Sequence, residues 1–423
     1  MKYLPRLADD DLAFRLKAKG AVLIEGPKWC GKTTTARAAA TSVLSMDQPE
    51  MAAQYRQMAE TAPTLLLEGE TPRLIDEWQV APTLWNTVRY EVDRRGEPGQ
   101  FILTGSAMPV ELDSATHTGT GRITRMRMRP MSLFESGDST GHVSLRKLFD
   151  GDSPAATAQA DLEEIAYLLA RGGWPQAVTT KDRKAALFHA RDYVDAVVSN
   201  DIRRVDSVKR DADKAERLLR SYGRHCATSA SLETIRLDVL GDKDDTFDAK
   251  TLYNYIDALK KIFVIEDVPA WNPNVRSKTA IRTADTRFFV DPSIAVAALR
   301  LGPRDLIFDL NTMGLIFENL VVRDLRVYAE LLDGAVYHYR DKSGLECDAV
   351  VHLRDGSYGL IEVKIGGDTA IEQGAESLKT LAAHIDTARM RPPAFLAVVT
   401  AVGPYAYPRP DGVKVIPITT FGP

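Results

Sequence analysis

The sequence predicts an α/β protein of several domains: a parallel sheet first, a mostly helical middle, then mixed helix and strand. In the first third, short apolar runs ("AVLIEG", "TLLLEG", "PRLIDE", "QFILTGS") alternate with helical stretches. Runs without polar alternation belong to strands buried on both faces, the usual condition of a parallel sheet. The first run leads into "GPKWCGKT", residues 26–33, which fits G-x-x-x-x-G-K-[ST] between a strand and a helix. Near the other end, "LECDAVVHL" and "YGLIEVKI" flank "RDGS" and read as a β-hairpin.

A chain of 423 residues suits several domains, roughly two to four at about 150 residues each. Hydrophobic residues at 44% and charged residues at 26% are ordinary for a soluble globular protein. A net charge of −4 and a pI near 6.0 exclude a globally basic nucleic-acid coat, so any nucleic-acid contact is local. Cys30, Cys226 and Cys347 show no paired spacing, which suits a reducing cytoplasm and excludes a zinc knuckle. The start, "MKYLPRLADDDLAFRLKAKG", lacks the apolar core of a signal peptide, and no apolar run is long enough to span a membrane. The expectation is a cytoplasmic protein without membrane contact. Residues 137–160 are polar and rich in small residues, and mark a boundary or flexible connection.

Residues 26–33 carry a physical mechanism. Gly26 and Gly31 let the backbone of the loop Gly26, Pro27, Lys28, Trp29, Cys30 and Gly31 wrap round phosphates. Its amides, with those of Lys32, Thr33 and Thr34, face the negative charge at the start of the helix expected over "TTTARAAATSVL". Lys32 is expected to reach the β- and γ-phosphates of ATP, and the Thr33 hydroxyl to sit on Mg²⁺. This is a P-loop NTPase pattern. "RLIDEWQ" is an apolar strand ending in two acids. Asp76 at its tip suits Mg²⁺ through water, and Glu77 suits polarisation of the attacking water. "FILTGSA" ends a third buried strand with hydroxyls at Thr104 and Ser106, placed to sense the γ-phosphate if the strand lies between the other two.

"GRITRMRMR" follows, with Arg122, Arg125, Arg127 and Arg129 and no acid among them. Period two puts the last three on one strand face. One of these arginines, Arg122 first, is a candidate for completing a neighbouring subunit's ATP site. The alternative is a solvated edge strand blunted with charge.

Residues 214–261 read as three helices, with Ser/Thr-type capping before "LETIRLDVL" and Asp248 as N-cap of the third. Strand-like "FVIEDVPAW" and "RFFVDPS" flank a loop with Arg276, Lys278 and Arg282. Three helices and a two-stranded ribbon form the profile of a winged helix. Its third helix offers Lys250, Asn254, Lys260 and Lys261 to DNA, diluted by Asp257, Asp244 and Asp245. A protein-protein role for this module remains open.

In the hairpin, parity decides which side chains meet. A two-residue turn at Asp355-Gly356 places Asp348 on the wrong face from Glu362, whereas a three-residue loop with Gly356 left-handed pairs them directly. Glu362 and Lys364 share a face, and Glu318 on the preceding helix offers a third carboxylate. Such a set suits divalent metal with Lys364 orienting the water, or a structural sheet in which Lys364 neutralises the acids.

Nearly the whole chain resembles a large bacterial and archaeal ATPase family that joins an AAA-type domain to a C-terminal region of unknown function. The stretches that carry the resemblance are "YLPRL", "GPKWCGKTTTA", "LIDEWQ", "FILTGSA", "GR" at 121–122, "RPMSLFE", "GGWP" at 172–175, "YVDAVVSNDI", "FENLV", "ECDAVV" and "IEVK". By that likeness the tail looks like the PD-(D/E)XK nuclease fold, with Glu318, Asp348, Glu362 and Lys364 on its usual positions. The expected organisation is an AAA-type P-loop ATPase domain at 1–140, a helical linker or lid at 141–200, a winged helix at 201–300 and a nuclease-like domain at 301–423. The expected function is an ATP-hydrolysing, oligomeric motor, a ring such as a hexamer, that binds and remodels DNA, including branched or recombining structures. The rivals are an ATP-gated, metal-dependent nuclease and a nucleotide-switched regulator of protein partners.

Overall fold

The computed structural model describes residues 3–105, 119–203, 205–206, 208–241, 247–273 and 284–423. Ser106, Asp244, Asp245, Arg276, Lys278 and Arg282, all named above, lie outside the described residues. The chain forms two compact units, the first of Met1–Pro130, Ser199–Arg210 and Asp257–Val264, the second of Met131–Val198, Asp211–Ile256 and Ile265–Pro423.

Among the described residues the first unit is built on five strands: β1 (Ala21–Glu25), β2 (Ser42–Ser45), β3 (Arg73–Asp76), β4 (Phe101–Thr104) and β5 (Ile123–Arg127). Their order is β2-β3-β4-β1-β5 and every pairing is parallel. The continuous apolar runs are explained by cover on both faces. Leu23, Ile75 and Leu103 pack with Trp78, Trp85 and Val88, while their neighbours Val22, Ile24, Leu74 and Ile102 pack with Leu12, Ala36 and Met126.

Two expectations fail here. "TLLLEG" supplies the short helix Pro63–Leu66, because Pro63 at the first helical position presets the helical backbone angle. The helix after the P-loop ends at Ala39, and "SVLS" becomes edge strand β2, where β-branched Val43 takes extended backbone beside β3.

The second unit holds β6 (Val143–Ser144), β7 (Ala156–Thr157), β8 (Gly334–Arg340), β9 (Glu346–Leu353), β10 (Tyr358–Lys364), β11 (Phe395–Thr400), β12 (Tyr405–Pro408), β13 (Lys414–Pro417) and β14 (Phe421–Gly422). Seven of them form a mixed sheet in the order β7-β12-β13-β11-β10-β9-β8. The helix Asp368–His384 buries Ile371, Ala375, Leu378 and Leu381 against Val350, Leu360 and Val398 of one sheet face. The polar stretch 137–160 is not a free linker. β7 extends the sheet beside β12, β6 pairs with β14, and Ser139 Oγ donates to the Phe421 carbonyl at 2.6 Å.

A buried ion-pair network joins two of the stretches that carry the family likeness, "RPMSLFE" and "GGWP". The Arg323 guanidinium donates to Asp291 Oδ2 at 2.9 Å and to Asp324 Oδ1 at 2.8 Å, all three side chains being at most 1% exposed. Asp324 also accepts the Leu133 amide and Asp291 the Gly173 amide, each at 3.0 Å. Gly173 has no alternative, since a Cβ there would lie 2.0 Å from the Met131 carbonyl oxygen.

In the helical middle, Ala212–Arg224, Leu232–Leu240 and Ala249–Lys261 follow in order. Ser231 caps the second through the Thr234 amide at 3.0 Å, and Asp248 caps the third through the Thr251 amide at 2.7 Å. Antiparallel bridges Ile265↔Phe289 and Val268↔Thr286 come next.

Candidate active site

β1 ends at Glu25, and the loop turns through Gly26 at φ 152° and Gly31 at φ 105° into the helix Lys32–Ala39. Glycine is obligatory at the first position: a Cβ on Gly26 would sit 2.0 Å from the Met128 carbonyl oxygen. The underside of the loop is pinned. The Arg6 guanidinium donates to the carbonyls of Cys30 and Arg129, both at 2.8 Å, and the buried Cys30 thiol faces the Met128 carbonyl at 3.6 Å. Lys32, 6% exposed, donates from Nζ to the carbonyls of Gly26 at 2.8 Å and Pro27 at 2.7 Å. Trp29 adopts φ 66° and stands half exposed, and Thr34 is exposed on the first turn. Lys28 leaves the loop sideways, and its Nζ meets Asp201 Oδ1 at 2.5 Å.

Strand order brings the acids to this loop. β4 lies between β3 and β1, so Thr104 stands beside Asp76 in register. Asp76, nearly buried, accepts at Oδ1 from the Thr104 hydroxyl at 2.6 Å and the Thr33 hydroxyl at 2.8 Å, and Arg37 lies 3.6 Å from its Oδ2. Glu77 follows in a left-handed backbone, at φ 56°, and Gln79 donates to its carboxylate. Burial pushes the Glu77 pKa up and the neighbouring Asp76 charge adds to the rise, outweighing the Gln79 hydrogen bond. A more basic carboxylate suits proton acceptance from water. A hydroxyl and a carboxylate on one side, with an ammonium and loop amides on the other, match a hard divalent cation and a phosphate chain.

Arg122 lies elsewhere. It precedes β5, its carbonyl accepts the Ala21 amide at 3.2 Å, and its side chain pairs with Asp93 at 2.7 Å. Since every strand is parallel, Arg122 sits at the amino-terminal edge of the sheet and Lys32 at the carboxyl-terminal edge. It lines an open groove of about 470 Å³ with Lys17, Lys19, Val92 and Glu97. Within one chain it is on the wrong side for the phosphates. Of the alternating arginines, Arg125 pairs with Glu25 at 3.2 Å and Arg127 stacks on Phe263 at 4.8 Å, while Arg129 is buried instead of sharing their exposed face.

In the tail, β9 and β10 pair as Tyr358↔His352 through Ile361↔Ala349, with Gly356 at φ 87°. That is the three-residue-loop register, and it sets Asp348 opposite Glu362. Lys364 Nζ lies 2.5 Å from Glu362 Oε2 and 3.5 Å from Asp348 Oδ2, and Asp348 Oδ2 accepts the Val363 amide at 2.7 Å. Burial, then the charge of Asp348, pushes Glu362 up to about 8. Glu318 is raised well above the usual carboxylate range by burial and by Asp348 and Glu362, so the four residues share one electrostatic environment. Burial alone would lower Lys364, but Asp348 and Glu362 reverse this and raise it. Among the described residues no group of three or more His, Cys, Asp or Glu is arranged to hold a metal ion. The ammonium of Lys364 takes the place between the carboxylates, so the donor set as folded does not fit a metal.

Arg6, Arg37 and Asp201 are the neighbours that sequence reasoning left without a role, although "YLPRL" and "YVDAVVSNDI" were among the stretches carrying the resemblance.

A parallel sheet with a glycine loop, its lysine and a hydroxyl-bonded strand-end aspartate defines the nucleotide-binding class of P-loop ATPases. Residues 18–136 match a family model described as an AAA domain, so this part of the chain is an AAA-type P-loop domain. Residues 162–305 and 313–421 each match a family described as a domain of unknown function, DUF8612 and DUF4143 respectively. The chain is 24% identical over 401 residues to uncharacterized proteins of Mycobacterium tuberculosis (Rv2008c) and Mycobacterium bovis (Mb2031c), covering 94% of this chain and 79% of each relative. A solved Walker-type ATPase of Pyrococcus abyssi is similar at a TM-score of 0.44 and 14% identity, over 70% of this chain and 96% of that one. Among the described residues no helix is long and apolar enough to cross a membrane.

Proposed function

We propose that this chain is an ATP-hydrolysing AAA-type motor that works as a homo-oligomeric ring, such as a hexamer, and binds and remodels DNA. The observation that carries the reading is the convergence of the Thr33 and Thr104 hydroxyls on Asp76 Oδ1, at 2.8 and 2.6 Å, beside the loop that holds Lys32. When bound, Mg²⁺–ATP supplies the electrophilic γ-phosphorus and the leaving group. Lys32 and the amides of residues 26–34 hold the phosphate chain. Thr33 and Asp76 hold the metal. Glu77 accepts the proton of the attacking water, and Thr104 keeps Asp76 in place. Arg122, at the far edge of its own sheet, serves a second copy's site, which is why an oligomer belongs to the proposal.

DNA as the partner is supported by the chain order of three helices followed by antiparallel bridges, which is that of a winged helix, with Lys250, Asn254 and Lys260 exposed on the third helix beside Tyr253 at 59% exposure. The order Glu318, Asp348, Glu362, Lys364 on a helix and two strands supports a PD-(D/E)XK-like tail. The lysine already neutralising that site favours holding DNA over cutting it.

The test is ATP turnover against duplex, single-stranded and four-way DNA, with sizing of the protein with and without nucleotide. DNA is expected to stimulate wild type and not Lys32→Ala. A strictly monomeric protein rejects the ring, and turnover indifferent to every DNA rejects the partner.

A further inference from the structure

The P-loop is clamped at three points of unlike character. Arg6 grips carbonyls on its underside, and Met128 closes against Gly26 and Cys30; both contacts involve loop backbone or a buried thiol. The third clamp is an ion pair between side chains, Lys28 with Asp201 at 2.5 Å. Its two halves differ in access: the Lys28 side chain is 40% exposed, the Asp201 side chain 10%. Asp201 opens the turn Asp201–Arg203, directly after the helix Arg183–Ser199 in sequence. That turn is braced from within. The guanidinium of Arg210, 4% exposed, donates to the Ile202 carbonyl at 3.2 Å and to Asp206 at 2.8 and 2.9 Å. The carboxylate is therefore the fixed member and the lysine the movable one.

We propose that Asp201 is a positioning residue for Lys28, and that the pair is a latch which the nucleotide's phosphates open by competing for the ammonium. The inference rests on the ATPase reading above. Lys28 is a residue of the loop whose amides wrap the phosphates, so its ammonium is within reach of an anion bound there. A carboxylate and a phosphate oxygen want the same donor. While Asp201 holds Lys28, the loop lacks one cation and the short segment Asp201–Arg203 is tied to it. When a triphosphate takes Lys28, Asp201 is left as a nearly buried carboxylate without its cation. That state is unfavourable and drives the segment to rearrange. Nucleotide binding is thereby linked to the stretch that continues the helix Arg183–Ser199, and by reciprocity that stretch tunes nucleotide affinity.

The experiment is calorimetric titration of Mg²⁺ with a slowly hydrolysed ATP analogue into wild type, Asp201→Asn, Asp201→Glu, Lys28→Met and the Lys28→Met/Asp201→Asn double variant. Releasing Lys28 is expected to tighten binding in Asp201→Asn by roughly threefold to fivefold, the scale of an ion pair with one exposed partner. Asp201→Glu should return towards wild type. In the Lys28→Met background the Asn substitution should change nothing, a result that a purely architectural Asp201 would not produce. Unchanged or weaker binding in Asp201→Asn, or tightening that persists without Lys28, overturns the latch while leaving the ATPase intact. Folded wild type that takes up no nucleotide sinks the ATPase reading and the latch with it.

Discussion

Replacing Arg323 by methionine is the sharpest test of how the second unit is held together. The guanidinium sits between Asp291 and Asp324, both fully buried, at 2.9 and 2.8 Å. Methionine fills much of the volume but leaves two carboxylates out of water with their backbone donors and no cation. Removing one partner from a buried pair costs about 3–5 kcal/mol. At the usual entropy of unfolding for a unit of this size, that lowers Tm by on the order of 10 °C. Scanning calorimetry, with limited proteolysis to locate the unfolding, reads the effect. Because the Asp324 carboxylate holds the Leu133 amide and the Asp291 carboxylate the Gly173 amide, cleavage should open first around residues 131–175. Neutralising the acids as well, in Asp291→Asn/Arg323→Met/Asp324→Asn, should recover part of the loss. A shift below about 2 °C in the single variant would refute the reasoning, since it would mean the three charges contribute almost nothing together.

Three further outcomes are expected. Thr104→Ala removes one of two hydroxyls on Asp76, and steady-state ATP turnover should fall roughly 10- to 100-fold in kcat/KM, the worth of a hydrogen bond to a charged group. The carboxyl of Glu362 is raised in the folded chain, so its contribution to stability is complete below its ordinary pKa of 4.5 and is lost as pH rises towards about 8. Denaturation midpoints of the wild type should therefore decline across that window, and Glu362→Gln should flatten the decline. Gly173→Ala forces a Cβ into the Met131 carbonyl at 2.0 Å, and soluble yield and Tm should both drop, in contrast to the helical Gly314→Ala, whose Cβ would meet only Ile365 at 3.9 Å.

Much of the site was legible because its chemistry is local. The loop 26–33 needs glycines where its backbone turns left-handed and a lysine one step into the helix, and these are neighbours along the chain. The tail hairpin was half legible. Composition put Asp348, Glu362 and Lys364 on two strands, but the register hinged on whether a two- or three-residue loop joined them, and the pairing of Tyr358 with His352 settles that. The misread segments fail for the same kind of reason. "TLLLEG" is as apolar as a buried strand, and Pro63, which starts a helix, outweighs that signal.

By itself the sequence determined the P-loop, the strand-end acids and the caps at Ser231 and Asp248, because each depends on residues within a few positions of one another. Tertiary structure alone decided that Thr104 meets Asp76, that Arg122 stands across the sheet from Lys32, and that Asp201 comes back to Lys28. Those pairings follow from strand order and from how distant segments pack, and spacing along a chain does not encode which strand lies beside which.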